Sequence, residues 1–179
     1  PGLTKQLEML LETLGMPNAR FNVELTKSDT FFNNGKDDLK FLFSANKGGQ
    51  FNELKKAASG GELSRIMLAI KSILTNYTQL PTIMFDEIDT GVSGEISNKM
   101  ASIMQQMSKT MQVFTITHLP QIAAKGDMHF KVFKEDIGEV TRTQLKLLNP
   151  EERIVEIAQM LDGVNMSSSA IEHAKQLLN

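Results

Sequence analysis

Cysteine is absent from this sequence of 179 residues. Its absence excludes a disulfide framework, catalysis by a thiol and any cysteine-based zinc site, and it agrees with a reducing compartment. Long apolar runs are also missing, since none approaches the roughly 20 residues that a membrane-spanning helix needs. No signal-peptide pattern opens the sequence. We therefore expect a soluble, cytoplasmic protein with no membrane partner, whose chemistry uses groups other than thiols.

The chain has no marked excess of charge of either sign. Its 19 Lys and Arg residues face 21 Asp and Glu residues, for a formal net charge of −2. A nucleic-acid-binding domain often has a basic excess, but it can also confine that excess to one face. No basic stripe with interleaved aromatic residues appears. Composition therefore names no partner, while a hydrophobic content of 41% supports one globular domain with a real core.

The sequence begins at Pro1, without an initiator methionine and already inside a helical pattern. We therefore expect it to be a piece of a longer protein. Four leucines recur at the spacing of a heptad seam: Leu3, Leu7, Leu10 and Leu14. Gly15 and Pro17 then end the helix. Two interpretations remain open for residues 1–15, an amphipathic helix on the domain surface and the end of a returning coiled-coil arm.

Residues 16–179 carry the alternating patterns of an α/β fold. Alternating apolar residues on both sides of the turn at Asn33, Asn34 and Gly35 predict an antiparallel hairpin. An apolar stripe then predicts a helix from residue 62 to about residue 76, with basic residues on its opposite face. These basic residues are Arg65 and Lys71. A short apolar run at 82–85 follows and predicts a buried strand.

The second half of the chain continues this alternation. A helical stripe at 96–107 precedes a second apolar run at 113–117, which also predicts a buried strand. Strand, helix, strand in this order predicts a parallel βαβ unit. Two further strands turn at Gly138. Asn149 opens the next helix and Gly163 closes it, and a serine-capped helix ends the chain. We find no internal repeat and no linker between separate domains.

The first candidate site is the run Ser59, Gly60, Gly61 and Glu62 at the start of the helix predicted from residue 62. Serine followed three positions later by glutamate is a capping box, which satisfies the free amides of the first turn. The two glycines favour a second interpretation, because backbone that closely approaches a phosphate cannot carry side chains there. Free N–H groups and the positive end of the helix dipole suit an anion in either case.

The second candidate site is the pair of carboxylates, Asp86 and Glu87, that ends the first apolar strand. Neighbouring strand residues point to opposite faces, so the two side chains can take different roles in one crevice. Asp86 can hold Mg²⁺, and Glu87 can orient or deprotonate a water. Asp89, Gly91 and Gly94 add a tight acidic loop. The alternative is a solvated acidic turn.

The third candidate is His118, which follows the second apolar strand. In a parallel sheet the ends of neighbouring strands line one crevice, so His118 is predicted to lie near Asp86 and Glu87. A histidine there can donate a hydrogen bond to a phosphate oxygen. The alternative for His118 is a structural residue with satisfied hydrogen bonds, which is also the interpretation for His129 and His173.

In their order along the chain, SGGE, IMFDE, the acidic glycine loop and the histidine resemble the second half of an ABC-type ATPase head. Five surrounding sequence segments narrow the resemblance to the RecN family of bacterial DNA-repair proteins. They are LGMPNARF, FLFSANKGG, ASGGELSRIMLAIK, FDEIDTGVSG and THLPQIAA. The resemblance runs from residue 3 into the last helix. It implies an α/β fold, the C-terminal lobe of an ABC/SMC-type head, with a parallel-sheet core, an added antiparallel hairpin and flanking helices. On this view, residues 16–179 form the lobe.

The resemblance also implies roles for single residues. In such proteins two heads enclose two ATP molecules, and the signature turn of one head caps the γ-phosphate bound on the other. The residues placed at this contact with ATP are Ser59, Gly60, Gly61 and Glu62. Asp86 would support Mg²⁺, Glu87 would be the catalytic base, Asp89 would belong to the D-loop beside ATP, and His118 would be the switch histidine.

One departure limits what the chain can do alone. An ABC-type ATPase needs a phosphate-binding loop of pattern G-x-x-x-x-G-K-[ST], yet the sole Gly-Lys pair, Gly35 and Lys36, has Thr30 five positions before Gly35 and Asp37 after Lys36. The resemblance places that loop in an N-terminal lobe beyond the coiled-coil arms. We therefore expect this chain to be inactive by itself.

The expected partners are the N-terminal lobe of the same protein, a second head in a homodimer, and DNA, the last from the resemblance alone. ATP binding would drive head engagement and hydrolysis would release it, in the repair of double-strand breaks and in recombination at the nucleoid. One alternative is a non-catalytic interaction module on the same scaffold. Another is a head from a different SMC-like protein or a transporter, although transporters usually carry glutamine where this chain has Glu62.

Overall fold

The first helix of the chain, α1 (Gly2–Thr13), buries one leucine stripe. The structure is a computed structural model that describes residues 2–78, 80–92, 94–138 and 140–179, without the side chains of Lys55, Ala57 and Ile137. It divides into two compact units, residues 1–114 and 115–179. Each unit is described by itself below.

Unit 1 contains most of the elements that the sequence patterns predict. They are α1, β1 (Arg20–Phe32), β2 (Gly35–Ser44), β3 (Asn52–Glu53), α2 (Leu54–Ala57), α3 (Gly60–Leu74), β4 (Thr82–Asp86) and α4 (Glu95–Met107). The strand β5 (Gln112–Ile116) crosses the boundary between the two units. The short elements β3 and α2 are additions that periodicity did not predict, since neither is long enough to show a repeat.

The helix α1 packs against α3 and β1. Leu7, Leu11 and Leu14 are fully buried, whereas Leu3 is 47% exposed. The buried stripe therefore includes Leu11 and leaves out the first leucine of the predicted heptad seam. This packing agrees with an amphipathic helix on its own domain, while the coiled-coil arm stays a prediction.

The predicted hairpin at the start of unit 1 is confirmed. β1 pairs antiparallel with β2, with Phe21 opposite Phe43 and Val23 opposite Phe41, and the register shifts between Lys27 and Phe32. The ring of Phe21 stacks on that of Phe41 at 5.1 Å and lies 5.3 Å from that of Phe43. β3 then extends this sheet along β2. The aromatic cluster anchors the end of the hairpin that is nearest to the buried core.

The βαβ prediction is confirmed, because β4 and β5 form a separate two-stranded sheet and α4 lies between them in the sequence. Ile83 and Phe85 are buried on one face of β4, but Met84 between them is 62% exposed. The prediction of a buried strand was therefore wrong for one face of β4, and also for β5, where Phe114 and Ile116 are 41% and 51% exposed. Alternate residues of a strand point to opposite faces, and only one face is covered here.

In its described residues, unit 2 contains the end of β5, a hairpin and three helices. Its elements are α5 (Pro120–Ala123), β6 (Phe130–Ile137), β7 (Val140–Leu147), α6 (Pro150–Asp162) and α7 (Ser168–Leu178). β6 and β7 pair antiparallel throughout, as predicted. α6, α7 and the end of α5 pack in one core cluster, whose buried residues are Ala124, Ile157, Ala158, Ala170 and Ala174. The described helices include none with the length and apolar character to cross a membrane.

Candidate nucleotide-contacting site

The candidate site in unit 1 begins with the signature turn, residues 59–62. Ser59 is the N-cap of α3, and its Oγ accepts a hydrogen bond from the backbone N–H of Glu62 at 3.4 Å. The Ser59 N–H donates in return to Oε2 of Glu62 at 2.7 Å. The capping-box interpretation is therefore confirmed, and it accounts for Ser59 and Glu62 without any ligand.

The two glycines of the signature turn have different surroundings. A Cβ added to Gly61 would lie 3.1 Å from the carbonyl oxygen of Thr90 and 3.7 Å from that of Gly91. A Cβ added to Gly60 would meet no atom of the described residues within 4 Å. Packing inside this chain therefore explains Gly61 and leaves Gly60 unexplained.

The carboxylate turn, residues 86–91, lies against the signature turn through the Gly61 contact. Asp86 ends β4 and is exposed, and so is Glu87. Glu87 has φ of 46°, the one positive φ among the described non-glycine residues. Such a backbone costs about 1–3 kcal/mol and is frequent at functional sites.

Hydrogen bonds hold Glu87 in this conformation. Its carbonyl oxygen accepts from Oγ1 of Thr90 at 3.0 Å and from the Thr90 N–H at 3.4 Å. Thr90 therefore closes the turn after Glu87 and also contacts Gly61, a double role that the sequence analysis missed. The feature that could have drawn attention to it is a hydroxyl residue three positions after the second carboxylate, as in short turns stabilised by side chains.

The acidic loop places Asp89 differently from the other two carboxylates. Asp89 is 1% exposed, and its carbonyl oxygen accepts from the N–H of Val92 at 3.1 Å. Ser97, at the start of α4, donates to the carbonyl of Gly94 at 2.6 Å and is fully buried. Of these three carboxylates, those of Asp86 and Glu87 are thus exposed to solvent, whereas that of Asp89 lies inside unit 1.

Arg65 is the second residue that the sequence analysis misjudged. It was predicted on the polar face opposite the core stripe of α3, yet it is half-buried. Its Nε donates to the carbonyl of Gly61 at 3.0 Å, and one of its terminal nitrogens donates to the carbonyl of Leu14 at 3.0 Å. The second bond spans 51 positions of sequence, so no local pattern could reveal it.

His118 lies in unit 2, just after β5, and its side chain is exposed. Beside it, the N–H of Leu119 donates to Oγ1 of Thr117 at 3.0 Å, which shapes the turn into α5. Its approach to Asp86 and Glu87 stays a prediction.

The residues present suit one part of a magnesium–nucleotide site. Mg²⁺ in such sites is bound by one or two carboxylates together with substrate phosphates, and an exposed Asp86 at a strand end provides one such ligand. Groups of three or more acidic, histidine or cysteine residues that could hold a metal are absent from the described part of the chain. An ion bound at Asp86 would therefore need further ligands from the phosphates or from other segments.

Comparison with protein-family models gave no match. Curated relatives, however, align with the chain almost from end to end. The chain is 40% identical over 181 residues to the DNA repair protein RecN of Halalkalibacterium halodurans, covering 99% of this chain and 32% of that protein. It is 42% identical to RecN of Treponema pallidum, with 97% and 31% covered, and 46% identical over 144 residues to RecN of Bacillus subtilis. The chain thus spans about a third of the first of these relatives.

The fold of the chain is similar to that of SMC heads in solved structures. The chain resembles the Smc head domain with a coiled coil and joint from Pyrococcus yayanosii with a TM-score of 0.65 at 21% identity, covering 89% of this chain and 29% of that one. A second match, with a TM-score of 0.58 at 17% identity, comes from a study of ATP-driven dimerisation and DNA-stimulated activation of SMC ATPases. It covers 89% of this chain and 91% of the other.

Proposed function

Over nearly its whole length the chain is a RecN-family sequence, corresponding to the C-terminal part of those proteins, and from that premise we propose how it works. We propose that it is the signature-bearing lobe of an ATPase head that acts in the repair of DNA double-strand breaks and in recombination. The parent protein binds ATP and Mg²⁺ between two heads, so that ATP binding engages the heads and hydrolysis releases them. The relatives' role in DNA repair and the SMC-head fold support this proposal.

The observation that carries the proposal is the contact between the signature turn and the carboxylate turn. Gly61 lies against the Thr90 carbonyl, so the two motifs form one surface, and on that surface Ser59, Gly60 and Glu87 are exposed. Gly60 leaves its backbone open to a close approach from outside the chain. We propose that the γ-phosphate of an ATP held by the second head makes this approach.

Each remaining residue of the site has a proposed role. Ser59 and the N-terminal amides of α3 contact the phosphate in trans, where the helix dipole favours negative charge. Asp86 supports Mg²⁺. Glu87 accepts a proton from the water that attacks the γ-phosphate of the ATP bound to its own head, whereas the signature turn serves the ATP of the second head. His118 senses the γ-phosphate, and Asp89 shapes the D-loop from inside the fold and not through a direct contact with solvent.

The proposal needs a second segment to complete the site. The sequence has no phosphate-binding loop, so the N-terminal lobe of the same protein must supply it, and this chain alone is expected to hydrolyse little ATP. The proposed partners are that lobe, a second head in a homodimer, and DNA at the nucleoid. The coiled-coil arm of which residues 1–15 form the end belongs to the same proposal.

A test of the proposed chemistry is Glu87→Gln in the full-length parent protein. The amide keeps the size of the side chain but cannot accept the proton, so we expect kcat to fall by about 10²-fold or more, with nucleotide binding retained. Steady-state hydrolysis and equilibrium nucleotide binding measure the two quantities.

The matched control is Glu95→Gln. Glu95 is also an exposed glutamate, in the first turn of α4, and it pairs with Lys99 at 2.8 Å. This variant should hydrolyse ATP at the rate of the unmodified protein. If Glu87→Gln turns over ATP as fast as Glu95→Gln does, Glu87 is not the base; if the unmodified protein itself hydrolyses no ATP, a non-catalytic interaction module becomes the better interpretation.

A further inference from the structure

The guanidinium group of Arg65 joins two segments that are far apart in sequence. It donates through Nε to the carbonyl of Gly61, inside the signature turn, and through a terminal nitrogen to the carbonyl of Leu14, just beyond the end of α1. Both distances are 3.0 Å, and both bonds are partly buried. One side chain therefore holds the signature turn and the end of α1 at a fixed separation.

The end of α1 packs closely on Ile96 and lies beside this arginine. Gly15 has φ of 78°, and a Cβ there would lie 2.8 Å from Cδ1 of Ile96 and 3.6 Å from the Arg65 guanidinium. Leu14 itself is fully buried. The last carbonyls of a helix lack partners within the helix and carry its negative dipole end, so a cation there is favoured. A shift of the end of α1 would therefore disturb the hydrogen bond that Arg65 donates to Leu14.

The opposite side of the signature turn is equally constrained. Gly61 packs on the carbonyl of Thr90, which in turn closes the turn after Glu87. The contacts thus run without interruption from Leu14 through Arg65 and Gly61 to Thr90. This series connects the helix that would end the coiled-coil arm to both motifs of the site.

We propose that Arg65 is a positioning residue that couples α1 to the signature turn, so that a displacement of α1 changes the presentation of the turn to the nucleotide. The proposal rests on the proposed function of the signature turn. Arg65 acts through the Gly61 backbone and does not contact ATP. Its two hydrogen bonds from one rigid planar group transmit a movement of the coiled-coil arm to the signature turn.

The test uses the full-length parent protein with Arg65→Lys and Arg65→Ala. Lysine keeps the charge and the aliphatic stem but lacks the planar fork, so it cannot bridge both carbonyls in the same geometry. We expect kcat, measured per nucleotide-binding head, to fall about tenfold in Arg65→Lys and further in Arg65→Ala, the scale of a lost hydrogen bond from a charged group. KM for ATP should stay within about twofold, since binding of the nucleotide to its own head is not affected.

The matched control is Arg153→Lys in unit 2. Arg153 also donates to backbone carbonyls, those of Gly126 at 2.7 Å and Ala124 at 3.2 Å. Its role is structural, so the control should lower stability while kcat per nucleotide-binding head stays unchanged. Equal kcat values for Arg65→Lys and Arg153→Lys would overturn the proposal.

Amide hydrogen exchange in the same proteins tests the coupling without hydrolysis. Arg65→Lys should raise exchange at residues 14–16 and at residues 59–62 together, and Arg153→Lys should raise neither. No change at either segment would overturn the proposal. If Glu87→Gln turns out to be fully active while the exchange of both segments rises, the coupling stands and the proposed function fails. If Glu87→Gln is inactive and Arg65→Lys resembles its control, the function stands and the coupling fails.

Discussion

Two helices of this protein begin with the same hydrogen-bonded cap. At α3, the Glu62 N–H donates to the Ser59 side chain at 3.4 Å, and the Ser59 N–H donates to the Glu62 side chain at 2.7 Å. At α6, the Glu152 N–H donates to the Asn149 side chain at 2.9 Å, and the Asn149 N–H donates to the Glu152 side chain at 3.1 Å. The residues inside the two boxes differ. The first contains two glycines, whereas the second contains Pro150 and a glutamate.

This difference shows which residues of the signature turn the helix cap requires and which residues need another explanation. The cap of α6 shows that a capping box forms without any glycine, so the cap of α3 does not require Gly60 or Gly61. Gly61 has a reason within the chain, its contact with the Thr90 carbonyl. Gly60 has none among the described residues, and we assign it to the approach of a nucleotide from a second head.

The largest expected effect comes from Gly60→Ala and Gly61→Ala. Gly60→Ala should lower ATP hydrolysis by the full-length protein roughly 10²-fold, the scale of a misplaced reacting group. It should not reduce the stability of the 179-residue chain, because the new Cβ meets no described atom within 4 Å and alanine favours a helix. Gly61→Ala should instead have a free energy of unfolding about 1–3 kcal/mol lower than that of Gly60→Ala, because both variants gain the helix preference of alanine but only the Cβ at Gly61 would lie 3.1 Å from a backbone carbonyl.

Urea unfolding and steady-state hydrolysis measure these two effects. A stability loss in Gly60→Ala as large as that in Gly61→Ala would remove the distinction between the glycines. Full ATPase activity in Gly60→Ala would remove the functional role of Gly60.

A smaller effect is expected from exchanging the two caps, Ser59→Asn and Asn149→Ser. Serine and asparagine are about equally good N-caps, so both variants should keep their stability within about 0.5 kcal/mol. Only Ser59→Asn should reduce ATP hydrolysis, because the longer side chain changes a surface that contacts the phosphate. Equal activity of the two variants would mean that the two caps are alike in role as well as in geometry.

The smallest effect concerns Glu152 in the cap of α6, whose carboxylate also accepts a hydrogen bond from Lys146. The hydrogen bond from Lys146, followed by that from the Asn149 backbone, lowers the pKa of the Glu152 carboxyl below its usual value of 4.5. Because the pKa is lower in the folded state, the ionised carboxyl stabilises the fold at pH values above its unfolded-state pKa. This stabilisation is lost as pH falls through the folded-state pKa. Lys146→Met should therefore lower the urea midpoint slightly at neutral pH, and the difference should shrink in acid. A difference that does not change with pH would show that Lys146 acts through packing alone.

The longer elements were predictable because each repeats its pattern several times. The apolar stripe of α3 and the alternation around Gly35 and Gly138 indicated the right elements, and Asn149 and Gly163 marked the ends of α6. β3, α2 and α5 were missed because two to four residues cannot display a period.

The site was predictable in its motifs but not in its tertiary contacts. The order of SGGE, IMFDE and the histidine indicated which residues to consider. The positive φ of Glu87, the contact of Gly61 with Thr90 and the Arg65 bond to Leu14 depend on segments brought together by folding. The exposure of Met84 likewise depends on what covers the second face of the sheet, which local sequence does not determine.

The central claim is that the signature turn of one head acts on the nucleotide of another, and mixed heads test it most directly. Full-length Gly60→Ala and Glu87→Gln proteins should each be nearly inactive alone. When they are mixed and allowed to exchange, a heterodimer combines an intact signature turn from one subunit with an intact Glu87 from the other at one of its two sites. We predict that the mixture regains ATP hydrolysis well above the sum of its parts. A mixture that stays as inactive as the two separate proteins, with heterodimers present, would contradict action in trans.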